Sequence, residues 1–300
     1  MIKRYFNSSS FRFSVNSRLG FYRYMPDSSY LKKEYYSRFQ RKLSLTDPKS
    51  FNEKIQWLKL YDRKPIYSTM VDKYVAKQYV AKIIGEEHII PTLGVWDRFD
   101  DIDFDSLPDR FVLKCTHDSG GMVICKDKSS FDKKAARKRI KKCLKRNYYW
   151  AGREWPYKNV PRKIIAEKLL QGESGEEVKD YKVWCFNGIA KCTMVCRGRF
   201  SEEGLHNTFY DREWNVMLVK RPSHPIAEIP DEKPINYEKM IEIAEELSQR
   251  IPFLRVDFYE VGGKLYFGEL TFYPAAGFEG FEPEEWDYTF GEWLQLPVDC

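Results

Sequence analysis

The stretch Arg255–Leu270, RVDFYEVGGKLYFGEL, decides the fold because it places one acidic residue in each of two otherwise apolar runs. Valine, phenylalanine and tyrosine favour pleated strands, and Gly262-Gly263 supplies the positive φ that a tight reversal needs. The stretch therefore predicts a β-hairpin with Asp257 in its first strand and Glu269 in its second. A carboxylate on a buried strand face is costly unless cations or hydrogen bonds compensate it. Either the two acids face solvent or nearby basic side chains, or they belong to a functional site.

The register of this hairpin decides whether the two acids can act together. A two-residue loop at Gly262-Gly263 would place Asp257 and Glu269 on opposite faces, because side chains alternate along a strand. A three-residue loop, or a single bulge with the same effect, places them directly opposite each other, about 4.5–5.5 Å apart at Cβ. We predict this second arrangement, with Arg255 and Thr271 on the same face.

The composition is that of an ordinary globular protein. The 300 residues are 43% hydrophobic and 31% charged, which gives ample material for a core. No apolar run approaches the ~20 residues of a membrane span, and the first residues lack the continuous apolar core of a secretory signal. Seven cysteines without C-x-x-C spacing predict free thiols. We therefore expect a cytoplasmic protein in a reducing environment.

The net charge of +6 is unevenly distributed. Residues 1–64 hold fifteen Lys/Arg against five Asp/Glu and are rich in aromatic residues. This region could contact a membrane surface, a polyanion or a partner, although we favour aromatic side chains that pack as helices against the body. A second basic run, Lys133–Arg146, carries Ala136 and Ile140 at helical spacing and predicts a solvated helix. A nucleic-acid-binding role would explain only these basic runs, and we expect no nucleic-acid partner.

The order of the predicted elements indicates an α+β protein with antiparallel strands. Ser50–Glu53 forms a capping box that opens a helix. Met70 to Ile84 predicts one continuous helix. Phe111–Cys115 predicts a strand, and Asn187-Gly188 predicts the turn between two further strands.

A lysine in an apolar strand is a second unusual feature. The segment FVLKCTHDSGGMVIC, Phe111–Cys125, places Lys114 in a strand that is followed by a glycine-rich loop. An ammonium group there needs an anion, and the backbone N–H groups of such a loop can approach phosphate oxygens closely. The loop lacks the sequence and the following helix of a P-loop.

The order of these motifs resembles that of the ATP-grasp superfamily. Asp72-Lys73 comes first, then Lys114 and its loop, then Ala166–Leu170 (AEKLL), then Asp180, and last the acidic hairpin. More narrowly, the chain is similar to the TupA-like, teichuronopeptide-type ATP-grasp proteins of capsule and exopolysaccharide gene clusters. The resemblance extends from about Leu43 to the closing WDYTFGEWLQLP.

The resemblance implies an ATP-grasp fold, in which two α+β subdomains clasp a nucleotide. Residues 1–91 would form an N-terminal basic and aromatic region that is mostly helical. Residues 92–170 would form the lid subdomain with the glycine-rich loop, and residues 171–300 the core subdomain with the metal-binding hairpin.

The resemblance also implies roles for individual residues. Lys73 and Lys114 match the lysines that hold nucleotide phosphates. The residues that match the mobile phosphate loop are His117, Ser119, Gly120 and Gly121. The residues that match the adenine and ribose sites are Glu167, Lys168, Leu170 and Asp180.

The hairpin matches the metal site and the reacting centre of the family. Asp257 and Glu269 match the magnesium ligands, and Arg255 matches the residue near the transferred phosphoryl group. Thr271 stands where the superfamily commonly has asparagine, and its hydroxyl is a weaker magnesium ligand. Arg197 and Arg199 are candidates for gripping an anionic substrate, or they are exposed strand-edge residues.

The activity that the resemblance implies is an ATP- and Mg²⁺-dependent ligase that joins a carboxylate to an amine through an acyl phosphate. The substrates would be small or glycan-linked, for example a uronic acid and an amino acid. The basic N-terminal region could contact the inner face of a membrane or the polysaccharide machinery. Two alternatives remain: a kinase that phosphorylates a sugar hydroxyl, and a capsule glycosyltransferase that uses the D-x-D pattern of Asp101 and Asp103.

Overall fold

The computed structural model describes residues 2–172, 178–198, 201 and 204–297. Six helices precede the first strand of this described part. They are α1 (Ile2–Asn7), α2 (Ser9–Arg18), α3 (Asp27–Phe39), α4 (Phe51–Tyr61), α5 (Ile66–Val71) and α6 (Val75–Ile84). The predicted capping box opens α4: Glu53 N donates to the Ser50 hydroxyl, and the Glu53 carboxylate accepts from Ser50 N.

The predicted continuous helix from Met70 to Ile84 is wrong, because the chain breaks between α5 and α6. Asp72 is extended there, and its carboxylate accepts hydrogen bonds from Tyr74 N and Val75 N. These bonds supply partners for amides at the start of α6. Lys73 N donates instead to Thr116 O at 3.0 Å. The break therefore ties Lys73 to the end of a neighbouring strand.

A four-stranded antiparallel sheet follows, with the strand order β1-β4-β2-β3. Its strands are β1 (Thr92–Trp96), β2 (Phe111–Cys115), β3 (Met122–Cys125) and β4 (Ile164–Lys168). Two helices lie between β3 and β4 in the chain: α7 (Lys133–Leu144), the predicted basic helix, and α8 (Tyr149–Gly152). Ala136 and Ile140 of α7 are buried in the core beneath this sheet.

A second, six-stranded sheet has the order β10-β9-β5-β6-β7-β8, and its pairs are antiparallel. Its strands are β5 (Asp180–Phe186), β6 (Ile189–Arg197), β7 (His206–Asp211), β8 (Val216–Met217), β9 (Phe253–Val261) and β10 (Lys264–Thr271). The predicted turn between β5 and β6 is confirmed, with positive φ at Asn187 and Gly188. Helices α9 (Tyr237–Leu247) and α10 (Glu285–Trp293) complete the chain.

The register of the β9–β10 hairpin confirms the prediction that Asp257 lies opposite Glu269. The turn itself has two residues, Gly262 and Gly263, both with positive φ, and Val261 pairs with Lys264. A bulge at Gly268 then shifts the register by one residue. A Cβ on Gly268 would lie 3.0 Å from Asp257 O, which explains why a glycine occupies the bulge.

The two faces of β5 show how the large sheet is buried. Trp184 and Phe186 alternate in sequence with Val183 and Cys185, and all four are buried. On the face that carries Trp184 and Phe186, the Phe51 ring of α4 packs against both side chains, at centroid distances of 5.5 and 6.0 Å. Helix α9 packs against β5, β6 and β9. Around β5 the sheet is therefore covered on both sides.

The N-terminal helices form a smaller core of their own. Phe13, Tyr30 and Tyr35 are buried in it together with Phe278, which follows the hairpin. Phe21 and Tyr24 remain exposed. The prediction that the N-terminal aromatic residues pack against the body is therefore confirmed for only some of them. The six described cysteines are free and buried, as predicted. None of the helices in the described ranges is both long and apolar enough to cross a membrane.

Gly291 allows α10 to pack directly on the start of α4. A Cβ on Gly291 would lie 2.1 Å from Lys49 O and 2.9 Å from Phe51 N. Although alanine is the better helix former, we expect Gly291→Ala to lower the free energy of unfolding by about 1–3 kcal/mol, because two backbones must separate. Urea denaturation measures this change. Gly280→Ala is the control, because its new Cβ would meet only Phe39, at 3.6 Å. Equal destabilisation of both variants would contradict the explanation.

Candidate functional site

A cleft of about 550 Å³ lies between the two sheets. One wall comes from β2, the glycine-rich loop after it, and the end of β4; the other comes from β5, β9 and β10. Eleven of the residues that line it are predicted site residues. They are Lys73, Lys114, Ser119, Gly120, Gly121, Glu167, Lys168, Leu170, Asp180, Asp257 and Glu269. The fold therefore brings together residues that are almost 200 positions apart.

Three adjacent strands place a row of charged side chains on the wall of the cleft. Lys182 of β5 pairs in register with Asp257 of β9, which pairs with Glu269 of β10. Directly opposed residues in antiparallel strands point to the same face. Lys182 Nζ lies 2.5 Å from Asp257 Oδ2 and 2.6 Å from Asp180 Oδ2. The bulge at Gly268 is what brings Glu269 into this row.

Arg255 links the two acids of the hairpin. Its Nε and one terminal nitrogen each lie 2.7 Å from an oxygen of Asp257, a bidentate pair. The same terminal nitrogen lies 3.5 Å from Glu269 Oε1. Lys73 Nζ reaches Glu269 Oε2 at 3.0 Å from the other side. Each acid of the hairpin is therefore held by two cations.

The two acids of the hairpin differ in their ionisation. Burial alone would raise the pKa of Glu269, but the charges of Lys73, Arg255 and Lys182 outweigh it and hold that pKa well below its usual range. Burial raises the pKa of the Asp257 carboxyl against the opposing charges of Arg255 and Lys182. Asp257 is 1% exposed, whereas 40% of the Glu269 side chain is open to the cleft. Glu269 is thus the more accessible oxygen ligand.

A second ionic cluster lies where β4 meets β2. Glu167 is buried, and its carboxylate contacts both Lys77 of α6 and Lys114 of β2, the latter at 2.5 Å. Burial would raise the pKa of Glu167, but the two lysines lower it to about 2. Burial also lowers the pKa of Lys77, and the charge of Glu167 offsets this only in part. Lys77 Nζ additionally donates to Ile90 O at 2.7 Å.

The glycine-rich loop presents only part of its predicted set to the cleft. Ser119, Gly120 and Gly121 line it, but His117 does not. His117 is buried, and its Nε2 lies 3.2 Å from Arg146 O. The buried Asp118 carboxylate accepts a hydrogen bond from Arg146 at 2.6 Å. Asp118 and His117 therefore anchor the base of the loop to the region after α7.

Several candidates lie outside the cleft lining. The Arg197 guanidinium donates to Asp231 Oδ1 at 3.3 Å and to Ile229 O at 2.8 Å. These bonds already occupy the group that was predicted to bind an anionic substrate. Arg199 lies outside the described residues. Thr271 pairs with Arg255 in register, as predicted, but is not among the lining residues. Asp101 and Asp103 are exposed beyond β1.

Among the residues that sequence reasoning missed are Lys182, which lines the cleft, and Lys77, which contacts Glu167. Lys182 stands two residues after Asp180 in an apolar strand, so strand alternation puts both on one face. Lys77 follows Lys73 by four residues, on the buried side of α6. Both lysines could have been found from the sequence. Each is at strand or helix spacing from a residue that was predicted to bind phosphate or ribose.

The comparisons with known proteins place these features in one family. A family model described as TupA-like ATPgrasp matches residues 53–295, most of the chain. No curated protein matches the sequence. Among solved structures, the D-alanine–D-alanine ligase of Bacillus anthracis complexed with ATP is 15% identical, with 68% of this chain and 53% of that chain covered and a TM-score of 0.40.

Two further solved structures are similar to this chain. The D-alanine–D-alanine ligase of Helicobacter pylori is 15% identical, with 82% of this chain and 69% of that chain covered and a TM-score of 0.41. The D-cycloserine synthetase DcsG is 12% identical, with 76% and 70% covered and a TM-score of 0.41. This chain spans about half the length of the Bacillus anthracis ligase.

The cluster around Glu167 predicts a pH dependence of stability. The folded pKa of about 2 lies below the ordinary pKa of an unfolded glutamate, about 4.3. Its stabilisation is therefore complete above the unfolded pKa and is lost as the pH falls through the folded pKa. We expect Glu167→Gln to lower the free energy of unfolding by about 3–5 kcal/mol at neutral pH, because a buried lysine loses its partner.

Urea denaturation between neutral pH and about pH 2 measures this effect. The difference between the wild type and Glu167→Gln should shrink toward the acid end. Glu282→Gln is the control, because Glu282 forms a half-exposed pair with Lys220 that contributes little. A pH-independent difference for Glu167→Gln would contradict the assigned ion cluster.

Proposed function

The chain belongs to the TupA-like ATP-grasp family, and on that premise we propose that it is an ATP-dependent ligase that joins a carboxylate to an amine. The observation that carries this proposal is the juxtaposition of two pairs in one cleft: the acids Asp257 and Glu269 in register, and the lysines Lys73 and Lys114 facing them. Such a site suits the transfer of a phosphoryl group, in which cations and a metal neutralise developing charge.

The proposed reaction has two steps. A carboxylate oxygen of the first substrate attacks the γ-phosphorus of ATP, the bond to the bridging oxygen breaks, and ADP leaves an acyl phosphate behind. The nitrogen of the second substrate then attacks the acyl carbon, and the carbon–oxygen bond to phosphate breaks. The products are an amide and inorganic phosphate, with the excess nitrogen protons passed to phosphate or solvent.

The cleft residues suit a nucleotide whose adenine lies at the end of β4 and whose phosphates lie under the glycine-rich loop, the orientation that the family implies. Of the predicted adenine residues Glu167, Lys168 and Leu170, Leu170 lies beyond the end of β4 and would offer its backbone N–H and C=O groups to an adenine edge, whereas Lys168 N already donates to Pro91 O at 3.0 Å. The side chain of Glu167 is already engaged by lysines, and its backbone lies in register between Thr92 and Val112, so Glu167 would position Lys77 and Lys114 at the cleft wall. Asp180 would receive the ribose hydroxyls, and Ser119–Gly121 would cover the phosphates.

The donor set of the hairpin fits magnesium. Magnesium prefers hard oxygen ligands and is usually bound by one or two carboxylates together with substrate phosphates. Asp257 and Glu269 supply two such carboxylates side by side, and no group of three or more potential ligands occurs among the described residues. When bound, the metal would supply positive charge at the transferred phosphoryl group, while Arg255 and Lys73 hold the carboxylates in place.

We propose a surface-glycan building block, such as a uronic acid, as the carboxylate substrate, and an amino acid or related amine as its partner. The similarity to teichuronopeptide-type proteins supports this choice of substrate class. A sugar kinase remains the alternative, because the same site could transfer phosphate to a hydroxyl group. The glycosyltransferase alternative would rest on Asp101 and Asp103, which are exposed and do not line the cleft.

Magnesium–ATP should raise the melting temperature of the wild type, because a ligand that binds only the native state stabilises it by mass action. With a panel of uronic acids and amino acids, a ligase releases inorganic phosphate, whereas a kinase leaves it on the sugar. Glu269→Gln should lower turnover by about 100-fold or more and shift the melting temperature by less than about 4 °C.

The control for this experiment is Glu260→Gln. Glu260 lies in the same hairpin, on the other face, where its carboxylate accepts from Asn236 N at 2.8 Å. It should retain turnover. An unchanged melting temperature of the wild type at millimolar magnesium–ATP would contradict nucleotide binding and the proposal with it.

We also propose that the N-terminal region contacts an anionic membrane surface. Phe21 and Tyr24 are 73% and 92% exposed and lie beside Leu19, which is also exposed. Arg18 and Arg23 flank these side chains. Aromatic side chains insert into the headgroup region of a membrane, and basic side chains are attracted to anionic lipids. This combination supports a peripheral contact at the inner face of the membrane.

Vesicle sedimentation tests this contact. The wild type should bind vesicles of equal parts phosphatidylglycerol and phosphatidylcholine but not vesicles of phosphatidylcholine alone, and Phe21→Ser with Tyr24→Ser should abolish binding. The matched control is Ile229→Ser with Ile235→Ser, which removes two comparably exposed apolar side chains elsewhere. Loss of binding in both double variants, or no binding by the wild type, would overturn the proposal.

A further inference from the structure

Helix α7 and the two residues after it carry an unusual excess of positive charge. Residues 133–146 include nine Lys/Arg and no Asp/Glu. Ala136, Ile140 and Cys143 are buried beneath the four-stranded sheet, so the basic side chains share the remaining surface of one helix. A charge excess of this size on one short segment marks a candidate surface for an anionic partner.

Five of the nine basic side chains have partners in the described part of the protein. Arg137 and Lys141 bind the Asp100 carboxylate at 2.7 and 3.0 Å. The other three are engaged separately: Lys133 lies 4.8 Å from the centre of the Phe104 ring, Arg139 donates to Gly120 O at 3.2 Å, and Arg146 binds Asp118 at 2.6 Å. These contacts tie α7 to the segments around it, including the glycine-rich loop.

The other four basic side chains form a row along the exposed side of α7. The members of this lysine row are Lys134, Lys138, Lys142 and Lys145, and all four are exposed. Their ammonium groups form no hydrogen bond and no ion pair with any residue that the structure describes. At 100° per residue they lie within about 80° of each other, opposite the buried face. Lys145, just past the end of α7, keeps helical backbone angles, and at 1.5 Å per residue the row spans about 16 Å.

The spacing of the lysine row is unfavourable for the protein alone. Like charges four residues apart on a helix repel each other and destabilise it, and Lys134, Lys138 and Lys142 repeat that spacing twice. The Asp100 carboxylate compensates Arg137 and Lys141 but no member of the row. An anionic partner that binds along the row would supply the missing compensation.

The surroundings of the lysine row favour a charged polymer as this partner. Among the described residues, none of the large apolar side chains that are exposed to solvent lies between residues 131 and 146. The row therefore offers nothing to insert into a membrane, unlike an amphipathic interfacial helix. It also lacks the aromatic side chains on which the bases of single-stranded nucleic acids stack. Compact ammonium charges on flexible stems suit a flexible chain that carries one carboxylate per unit.

We propose that the lysine row binds an acidic glycan chain that bears the carboxylate substrate. The choice of a glycan rests on the proposed ligase function, in which a surface-glycan unit supplies the carboxylate. Val112 and Lys114 of β2 line the cleft, whereas Leu113 between them packs in the core that α7 shares. The row therefore lies on the outer side of the sheet whose inner side forms a wall of the cleft. A chain held on α7 keeps its other units at high effective concentration near the cleft.

Binding of polygalacturonate, a polymer of a uronic acid, tests the proposal. The fourfold variant combines Lys134→Gln, Lys138→Gln, Lys142→Gln and Lys145→Gln. The wild type should bind the fluorescently labelled polymer in the absence of ATP, as measured by fluorescence anisotropy. The variant should bind it at least about 30-fold more weakly, because four exposed ion pairs are lost. Since the substitutions relieve repulsion along the helix, the variant should melt at no lower temperature than the wild type.

The matched control removes the same number of charges from exposed lysines on other elements. It combines Lys42→Gln, Lys82→Gln, Lys191→Gln and Lys264→Gln, and it should bind the polymer as the wild type does. Equal losses in the two fourfold variants would show that net charge alone attracts the polymer and would overturn the site. So would displacement of the labelled polymer by duplex DNA or phosphatidylglycerol vesicles at a lower concentration of negative charge than unlabelled polygalacturonate requires.

A phosphate-release assay with magnesium–ATP and an amino acid separates this inference from the proposed function. Counted per uronic-acid unit, the KM of the wild type should be at least about 30-fold lower for polygalacturonate than for galacturonate, and the fourfold variant of the lysine row should lose this preference. A wild type that binds the polymer but releases no phosphate with any acid would contradict the ligase function and leave the glycan site standing. A wild type that turns over galacturonate but does not bind or prefer the polymer would overturn the glycan site alone.

Discussion

The bulge at Gly268 is the constraint on which the candidate site depends. The tight turn at Gly262-Gly263 by itself sets a register in which Asp257 and Glu269 face opposite sides of the sheet. The extra residue at Gly268 reverses this for every position that follows, so that Glu269 joins the row of Lys182 and Asp257. Because a Cβ at this position would press on the backbone of β9, the bulge, the glycine and the paired acids form one structural unit.

The charges of the cleft are balanced by the chain itself. Around the hairpin, three acids (Asp180, Asp257 and Glu269) meet three cations (Lys73, Lys182 and Arg255). A ligand that brought only negative or only positive charge would leave some of these groups uncompensated in a partly buried site. A nucleotide bound together with a divalent metal ion brings both signs, and the pairs can exchange partners at little net electrostatic cost. The charge pattern therefore favours the complex over either component alone.

Sequence reasoning predicted the α+β class and the hairpin because these depend on local patterns: alternation in strands, the capping box of α4, and turns marked by glycine. The phosphate, adenine and ribose residues of the cleft were implied by the resemblance to the ATP-grasp superfamily. Sequence reasoning failed where a tertiary contact overrides local preference. The break at Asp72 and Lys73 has neither glycine nor proline, and Lys73 N bonds there to Thr116 O, just after β2. His117 and Arg197 have the right chemistry for ligand binding, but Arg146 and Asp231 engage them, and these partners cannot be read from spacing.

The N-terminal helices pack against the segment between α7 and β4, although the family match begins only at residue 53. Arg153, which is 2% exposed, donates to Tyr22 O at 2.7 Å, and its guanidinium lies 4.4 Å from the centre of the Tyr30 ring. The hydroxyl of Tyr149 donates to Asp27 of α3. These contacts fix Tyr149 and Arg153, while Lys59 binds Gly152 O in the same segment. The N-terminal region thus packs against the segment between α7 and β4, in keeping with the expected packing of its aromatic side chains.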